Sequence, residues 1–204
     1  EVQVVAQFGN DRGVGRHRIT ARALARRWAD LAGGGADVAL RAGRGPWEGL
    51  RADFLFRQYF APICTPGFVE QHGIERPEDL LRVDRLAPND HLWRGWFACA
   101  GVGDLPHTRQ GVVLDSQLQE ANAIAGGYGV AMMTPYFWRA ELESGRLVQP
   151  FAQLYVTDAA HFLVHPAGRV GVRKIERFRE WLREELEADR AFMPESAWEP
   201  RHEF

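Results

Sequence analysis

Apolar and polar positions alternate with two different periods along the chain, which predicts a protein of mixed strands and helices. Residues 1–7, EVQVVAQ, alternate with the period of two that is typical of a strand, and a second apolar run, ADVALR, occupies residues 36–41. Residues 21–32 carry apolar side chains at helical spacing and end on three glycines, which predicts a helix after a polar loop at residues 8–20. This order of elements predicts a parallel crossover unit.

The central part of the chain predicts shorter elements. Residues 52–64, ADFLFRQYFAPIC, form an extended segment that we expect Pro62 to interrupt, because proline cannot donate a hydrogen bond to a sheet. PGFVEQHGI and RPEDLL predict short helices, and VDRLAP and TRQGVVLDS predict strands.

The stretch LDSQLQEANAIAGGYGVAMMTP predicts a helix, a glycine turn and a strand. Ser116 and Gln119 have the spacing of a helix cap, and the glycines at 126, 127 and 129 end the helix. In a dinucleotide-binding loop the glycines precede a helix, whose amino end holds the phosphates. Here they follow one, so the turn is interpreted as a helix stop, and we expect no cofactor.

The last third of the chain predicts a strand at DAAHFLVHP and a strongly amphipathic helix before residue 190, followed by a polar tail at residues 191–204 without regular structure. Two long extended segments lie near residues 56–64 and 147–151. They suggest two α/β lobes joined by a pair of crossing strands. The predicted boundaries are residues 1–58 for subdomain I, 59–148 for subdomain II and 149–190 for the return to subdomain I.

Composition narrows the class of protein. The 204 residues are 46% hydrophobic with a formal net charge of −2, and no apolar run reaches the length of about 18 residues that a membrane helix requires. The near-neutral charge gives no nucleic-acid footprint of its own. The two cysteines, Cys64 and Cys99, lack CxxC spacing and are expected to be free thiols in the cytoplasm.

The sequence contains no recognisable catalytic constellation. Ser116 is not part of a G-x-S-x-G turn, so we interpret it as a helix cap rather than a nucleophile. His161 and His165 share one face of a predicted strand, but no third metal ligand has a suitable spacing, so no metal site is predicted. The aromatic cluster WRGWF at residues 93–97 is interpreted as core or interface. We therefore expect a protein that is not an enzyme.

Several segments together resemble a known family. The stretches GGGADVALRAGRGPWEGLRADFLFRQYFAPICTPGFV and LDSQLQEANAIAGGYGVAMMTPYFWRAELESGRLVQPF are similar to the effector-binding domain of LysR-type transcriptional regulators, in particular the branch of the glycine-cleavage and β-lactamase regulators. The resemblance covers about residues 36–187. It implies an α/β fold like the type II periplasmic binding proteins, with two subdomains, two crossover strands and an interlobe cleft.

The resemblance also implies which residues contact a small-molecule effector, since in this family they lie at strand ends and helix starts. The corresponding positions are Asn10, Asp11, Arg41, Ala42, Ser116, Gln117 and Tyr128. Arg41 has two open interpretations, pairing with an effector carboxylate or an internal salt bridge.

The partners implied by the resemblance are a small-molecule effector, further copies of the chain in a homodimer or homotetramer, and operator DNA. The family binds DNA through an N-terminal helix-turn-helix, which this sequence lacks. Because the chain begins at Glu1 without a methionine, we expect it to be part of a longer protein. The alternative is a solute-binding protein of the same fold that serves a transporter, which would carry an export signal.

Overall fold

The computed structural model describes residues 2–6, 19–21, 36–103, 111–114 and 116–200. The chain divides into two compact units: Glu1–Gln58 with Thr157–Phe204 form the first, and Tyr59–Val156 form the second. No helix in the described ranges is long and apolar enough to span a bilayer.

Six strands and five α-helices are found in these ranges. The strands are β1 Val2–Ala6, β2 Ile19–Ala21, β3 Val38–Gly43, β4 Leu50–Ile63, β5 Ala131–Met133 and β6 Tyr155–Pro166. The helices are α1 Pro66–His72, α2 His91–Cys99, α3 Gln117–Ala125, α4 Arg139–Glu143 and α5 Arg173–Ala188. Strands β4 and β6 each pass from one unit into the other along the chain.

The sheet of the first unit has the strand order β2-β1-β3-β6-β4. Strand β1 is parallel to both β2 and β3, which confirms the predicted parallel crossover. Strand β6 runs antiparallel to β3. The predicted loop and helix need correction at residues 19–21, which form β2, while residues 22–35 lie outside the described ranges. A third parallel strand therefore replaces the predicted helix start.

Helix α5 is amphipathic, as its sequence predicts, and buries Ile175, Phe178 and Leu186 in the first unit. The segment after it differs from the prediction of an unstructured tail. Short 3-10 helices form at Arg190–Phe192 and Glu195–Ala197. This tail packs on the first unit because two of its apolar residues, Met193 and Ala197, are buried.

The second unit contains a short antiparallel strand pair and two apolar cores. Strand β4 continues through Pro62, which lies opposite Met132 of β5, so the predicted interruption is wrong. Proline is tolerated in this strand because β4 pairs with β5 over only three residues, so few hydrogen bonds of the sheet depend on this position. One core surrounds the fully buried rings of Trp93, Trp96 and Phe97.

Two segments of this unit that the sequence predicts as strands have a different structure. The predicted strand at TRQGVVLDS is wrong for Gly111–Leu114, which have no regular structure; residues 108–110 and 115 lie outside the described ranges. Val113 is 74% exposed, so its apolar pattern does not reflect burial in a sheet. The segment VDRLAP forms only an isolated bridge, between Arg85 and Val130, instead of a strand.

Candidate functional site

The amino end of α3 has the geometry that its sequence predicts. Ser116 is the N-cap, with an extended backbone, and its hydroxyl accepts a hydrogen bond from the Gln119 amide at 3.4 Å. The Ser116 residue is exposed. The amides of Gln117 and Leu118 have no acceptor within the helix, as is usual for the first turn. An exposed hydroxyl and unfilled amide donors therefore lie together at this end of α3.

Gln117 fixes this helix end to the carboxyl end of β5. Its side-chain oxygen accepts from the Thr134 amide at 3.0 Å and from the Trp138 indole at 3.3 Å. Its side-chain nitrogen donates to the Thr134 hydroxyl at 3.3 Å. Thr134 is fully buried and Trp138 nearly so, which makes the three bonds hard for water to replace. Gln117 is thus a positioning residue for the end of α3.

Tyr128 lies at the other end of the same helix. The chain leaves α3 through a turn in which Gly127 and Gly129 have φ of 88° and 64°, a left-handed conformation that favours glycine. A side chain at position 129 would meet the Asp84 carbonyl oxygen at 2.4 Å. A nine-residue helix is about 13 Å long. The structure therefore does not bring Tyr128 together with Ser116.

The remaining predicted residues belong to the first unit. Arg41 lies in β3 opposite Phe162, and its guanidinium carbon is 4.8 Å from the ring centre of Trp47. Burial lowers the pKa of Arg41. Ala42 is exposed next to it, opposite His161. Asn10 and Asp11 fall in residues 7–18, which lie outside the described ranges.

The sequence interpretation missed Thr134 and Trp138. Thr134 lies within the predicted VAMMTP strand and Trp138 follows it, and the local signal at Pro135 indicates only the start of a new helical turn. Their contacts with Gln117 join residues that are 17 and 21 positions apart. No periodicity reports a bond between such distant side chains.

The two histidines that share a face of β6 and the two thiols have ordinary structural surroundings. His161 packs its ring on Phe56 at 4.7 Å, and His165 Nδ1 lies 3.0 Å from the Pro166 carbonyl oxygen. Across the described residues no group of three or more His, Cys, Asp or Glu side chains could hold a metal ion. Cys64 and Cys99 are free thiols, which confirms that expectation, and burial raises the pKa of Cys64 to about 12.

Comparison with known proteins identifies the family to which this fold belongs. Residues 6–187 match the LysR substrate binding domain family. The chain therefore belongs to this family. The predicted periplasmic-binding-protein-like fold is confirmed by the effector domain of the transcriptional regulator AmpR of Pseudomonas aeruginosa, with a TM-score of 0.73 and 27% identity over 92% of this chain and 96% of that one.

Two curated relatives give the same answer. The glycine cleavage system transcriptional activator of Escherichia coli strain K12 is 33% identical over 149 residues, or 72% of this chain and 48% of the relative. The HTH-type transcriptional activator AmpR of Rhodobacter capsulatus is 34% identical over 149 residues, or 72% of this chain and 50% of the relative. The chain thus spans about half the length of the curated relatives it matches. The predicted resemblance to the glycine-cleavage and β-lactamase regulator branch is confirmed.

Proposed function

We propose that the chain is the effector-sensing regulatory domain of a cytoplasmic LysR-type transcriptional regulator and is not itself an enzyme. Its family and the names of its relatives support this proposal over a transporter's solute-binding protein. The two units would be the two subdomains of the effector domain. Operator DNA would be bound by a helix-turn-helix in a part of the regulator outside this sequence.

The observation that carries a binding role is the amino end of α3, which Gln117 fixes through three hydrogen bonds. A helix amino end combines free amide donors with the positive end of the helix dipole, so it favours a carboxylate or another anion. The exposed Ser116 hydroxyl adds a further hydrogen-bonding group. We therefore propose that a small carboxylate-containing effector binds at Ser116 and at the amides that follow it.

The contributions of other predicted residues are separate proposals. We propose Arg41 and Ala42 as contacts of the first unit, and we propose Asn10 and Asp11, which lie outside the described ranges, as further contacts. The Arg41 guanidinium already lies over the Trp47 ring, so an effector carboxylate would add to that contact. Tyr128 would need a second contact region, because it lies at the opposite end of α3 from Ser116.

Regulation requires more than binding. An effector changes an assembly only by the difference between its affinities for two states of that assembly. We propose that the states differ in how copies of the regulator associate, as a homodimer or homotetramer. Exposed apolar side chains near the start of α3 support such association: Val112 is 43%, Val113 74% and Leu118 49% exposed.

The experiment that tests the effector site is thermal unfolding of the chain with a panel of amino acids, aromatic acids and cell-wall peptides. A ligand that binds only the folded state raises the melting temperature by mass action. We expect at least one carboxylate to raise it by about 3 °C or more at ten times its Kd. Ser116→Ala should reduce that rise by half or more.

The matched control is Ser196→Ala, which changes an exposed serine of the first unit that caps no helix. Loss of the α3 cap costs about 1 kcal/mol in the free protein, so the ligand-induced rise, not the starting temperature, is the result to compare. An equal rise in the parent and in Ser116→Ala would contradict the proposed site.

A further inference from the structure

Arg85 is a buried cation in the second unit. The residue is 5% exposed, and its backbone bridges to Val130, just before β5. The guanidinium carbon lies 5.2 Å from the ring centre of Trp93 and 5.3 Å from that of Phe97, both on α2. The two aromatic rings therefore hold the guanidinium in place through cation–π contacts.

These rings do not satisfy the hydrogen-bonding capacity of Arg85. A guanidinium has five N–H donors that point outward in its own plane, and ring faces attract the charge without replacing an oxygen acceptor for each donor. Among the described residues, Arg85 has neither a carboxylate partner nor a hydrogen-bond acceptor for its side chain. Burial lowers the pKa of Arg85. Arginine is almost never buried without a partner.

Arg85 is nevertheless not completely enclosed, since 5% of the residue is exposed. The proposal below requires that a small anion reach the guanidinium donors through this exposed part. The rings restrict the side chain beforehand, which lowers the entropy that binding would cost.

We propose that Arg85 is the binding group of a second ligand site, which takes a small oxyanion, either a carboxylate or a phosphate. Two parallel N–H groups of the guanidinium match two oxygens of such a group. The site is distinct from the start of α3. Val130 and Thr134 lie at opposite ends of β5, and four residues of strand span about 13 Å.

The first test is thermal unfolding of the chain in phosphate, acetate and chloride at equal ionic strength. The three salts separate a phosphate site, a carboxylate site and general screening of charge. We expect phosphate or acetate to raise the melting temperature by about 3 °C over chloride at ten times its Kd. Arg85→Met should abolish the part of the rise that Ser116→Ala leaves. Arg94→Met, which removes an exposed arginine of α2, should preserve it.

A second test requires no variant. Phenylglyoxal modifies accessible guanidinium groups, and mass spectrometry reports the rate at each arginine. We expect phosphate or acetate to slow the modification of Arg85 at least threefold over chloride and to leave Arg94 unchanged. The proposal is overturned if neither anion protects Arg85, or if the rise in melting temperature is the same in Arg85→Met as in the parent.

Discussion

The two units treat their buried charges differently. In the first, the two buried carboxylates of the described residues each lie near two cations: Asp37 contacts Lys174 at 2.7 Å and Arg169 at 3.0 Å. Asp53 lies 3.8 Å from Arg183 and 3.9 Å from Arg179. Lys174, Arg179 and Arg183 belong to α5, so these pairs help to fasten that helix to the sheet.

In the second unit, Asp79 is the buried carboxylate of the described residues, and it also has hydrogen-bonding and charged partners. Asp79 is held by the amides of Glu75 and Arg76 and by Arg82, and the two amide hydrogen bonds are the main cause of its lowered pKa. Arg85 has aromatic neighbours instead of an anion. The partly buried carboxyl of Glu120 has a raised pKa of about 7, mainly through burial and secondly through the charge of Asp90.

This difference separates charges that stabilise the fold from charges that can bind a ligand or a proton. A buried carboxylate with two cations is already neutralised, so a ligand or a proton gains little by binding there. A buried cation without an anion, or a carboxyl next to another carboxylate, gains from a ligand or a proton. Unmatched charges in the second unit are therefore the better candidates for sensing a small molecule.

The largest expected effect is the loss of a matched charge in the first unit. Asp37→Asn removes the partner of Lys174 and Arg169, and the buried position then leaves their charges uncompensated. We expect a loss of about 3 kcal/mol in the free energy of unfolding, at the low end for buried pairs because both cations are partly exposed. Urea unfolding at pH 7 measures it.

Glu180→Gln is the matched control, since it removes a negative charge from an exposed position of α5. We expect it to change the stability by less than about 0.5 kcal/mol. Equal stability of Asp37→Asn and the control would mean that the first unit does not depend on its charge pairs, and the comparison between the units would fail.

Local structure could be predicted from the sequence where one short segment determines it. The cap at Ser116 and the glycine turn after α3 each depend on adjacent residues. The parallel pairing of β1 with β3 follows from element order. The strand prediction over Gly111–Leu114 is wrong because an apolar pattern does not guarantee burial, and Val112 and Val113 are exposed.

Charge partners and the fixing of the α3 site could not be predicted in this way. Arg169 and Asp37 are 132 positions apart, and Gln117 meets Trp138 across 21 positions. Arg85 lies in the segment VDRLAP, which the sequence predicts as a strand, and the burial of its charge depends on contacts with α2. Such features depend on tertiary packing, which the hydrophobic periodicity of a short segment does not encode.

A second prediction concerns the buried base of the first unit. Burial lowers the pKa of His161 from 6.5 to about 4, so the folded state holds it neutral. Between these values the unfolded chain binds the proton and the folded chain does not. The contribution of neutral His161 to the free energy of unfolding is therefore fully present above pH 6.5. It is lost as the pH falls, by about 2 kcal/mol at pH 5.

His161→Asn removes this titration. We expect the parent to lose more stability than the variant between pH 7 and pH 5, as measured by urea unfolding at each pH. His72→Asn, at an exposed histidine of α1, should lose as much as the parent. Parallel losses in the parent and in His161→Asn would show that this histidine is not the source.

The smallest expected effect is a pH-dependent change in stability from Glu120 of the second unit, and its sign is opposite to that expected for His161. The pKa of Glu120 is raised from 4.5 to about 7 by burial and by Asp90, so between these values the folded state holds a proton that the unfolded chain releases. Stability therefore falls as the pH rises through this window and is constant above it. Because Glu120 is only partly buried, we expect a loss of about 1 to 2 kcal/mol.

Glu120→Gln keeps the protonated shape at every pH. We expect it to be more stable than the parent at pH 8 and equal to it at pH 4.5, with the difference appearing between these values in urea unfolding. Glu70→Gln, at an exposed position of α1, should show no such window. If Glu120→Gln gained nothing at pH 8, Glu120 would be matched in the folded state like Asp37, and the contrast between the units would rest on Arg85 alone.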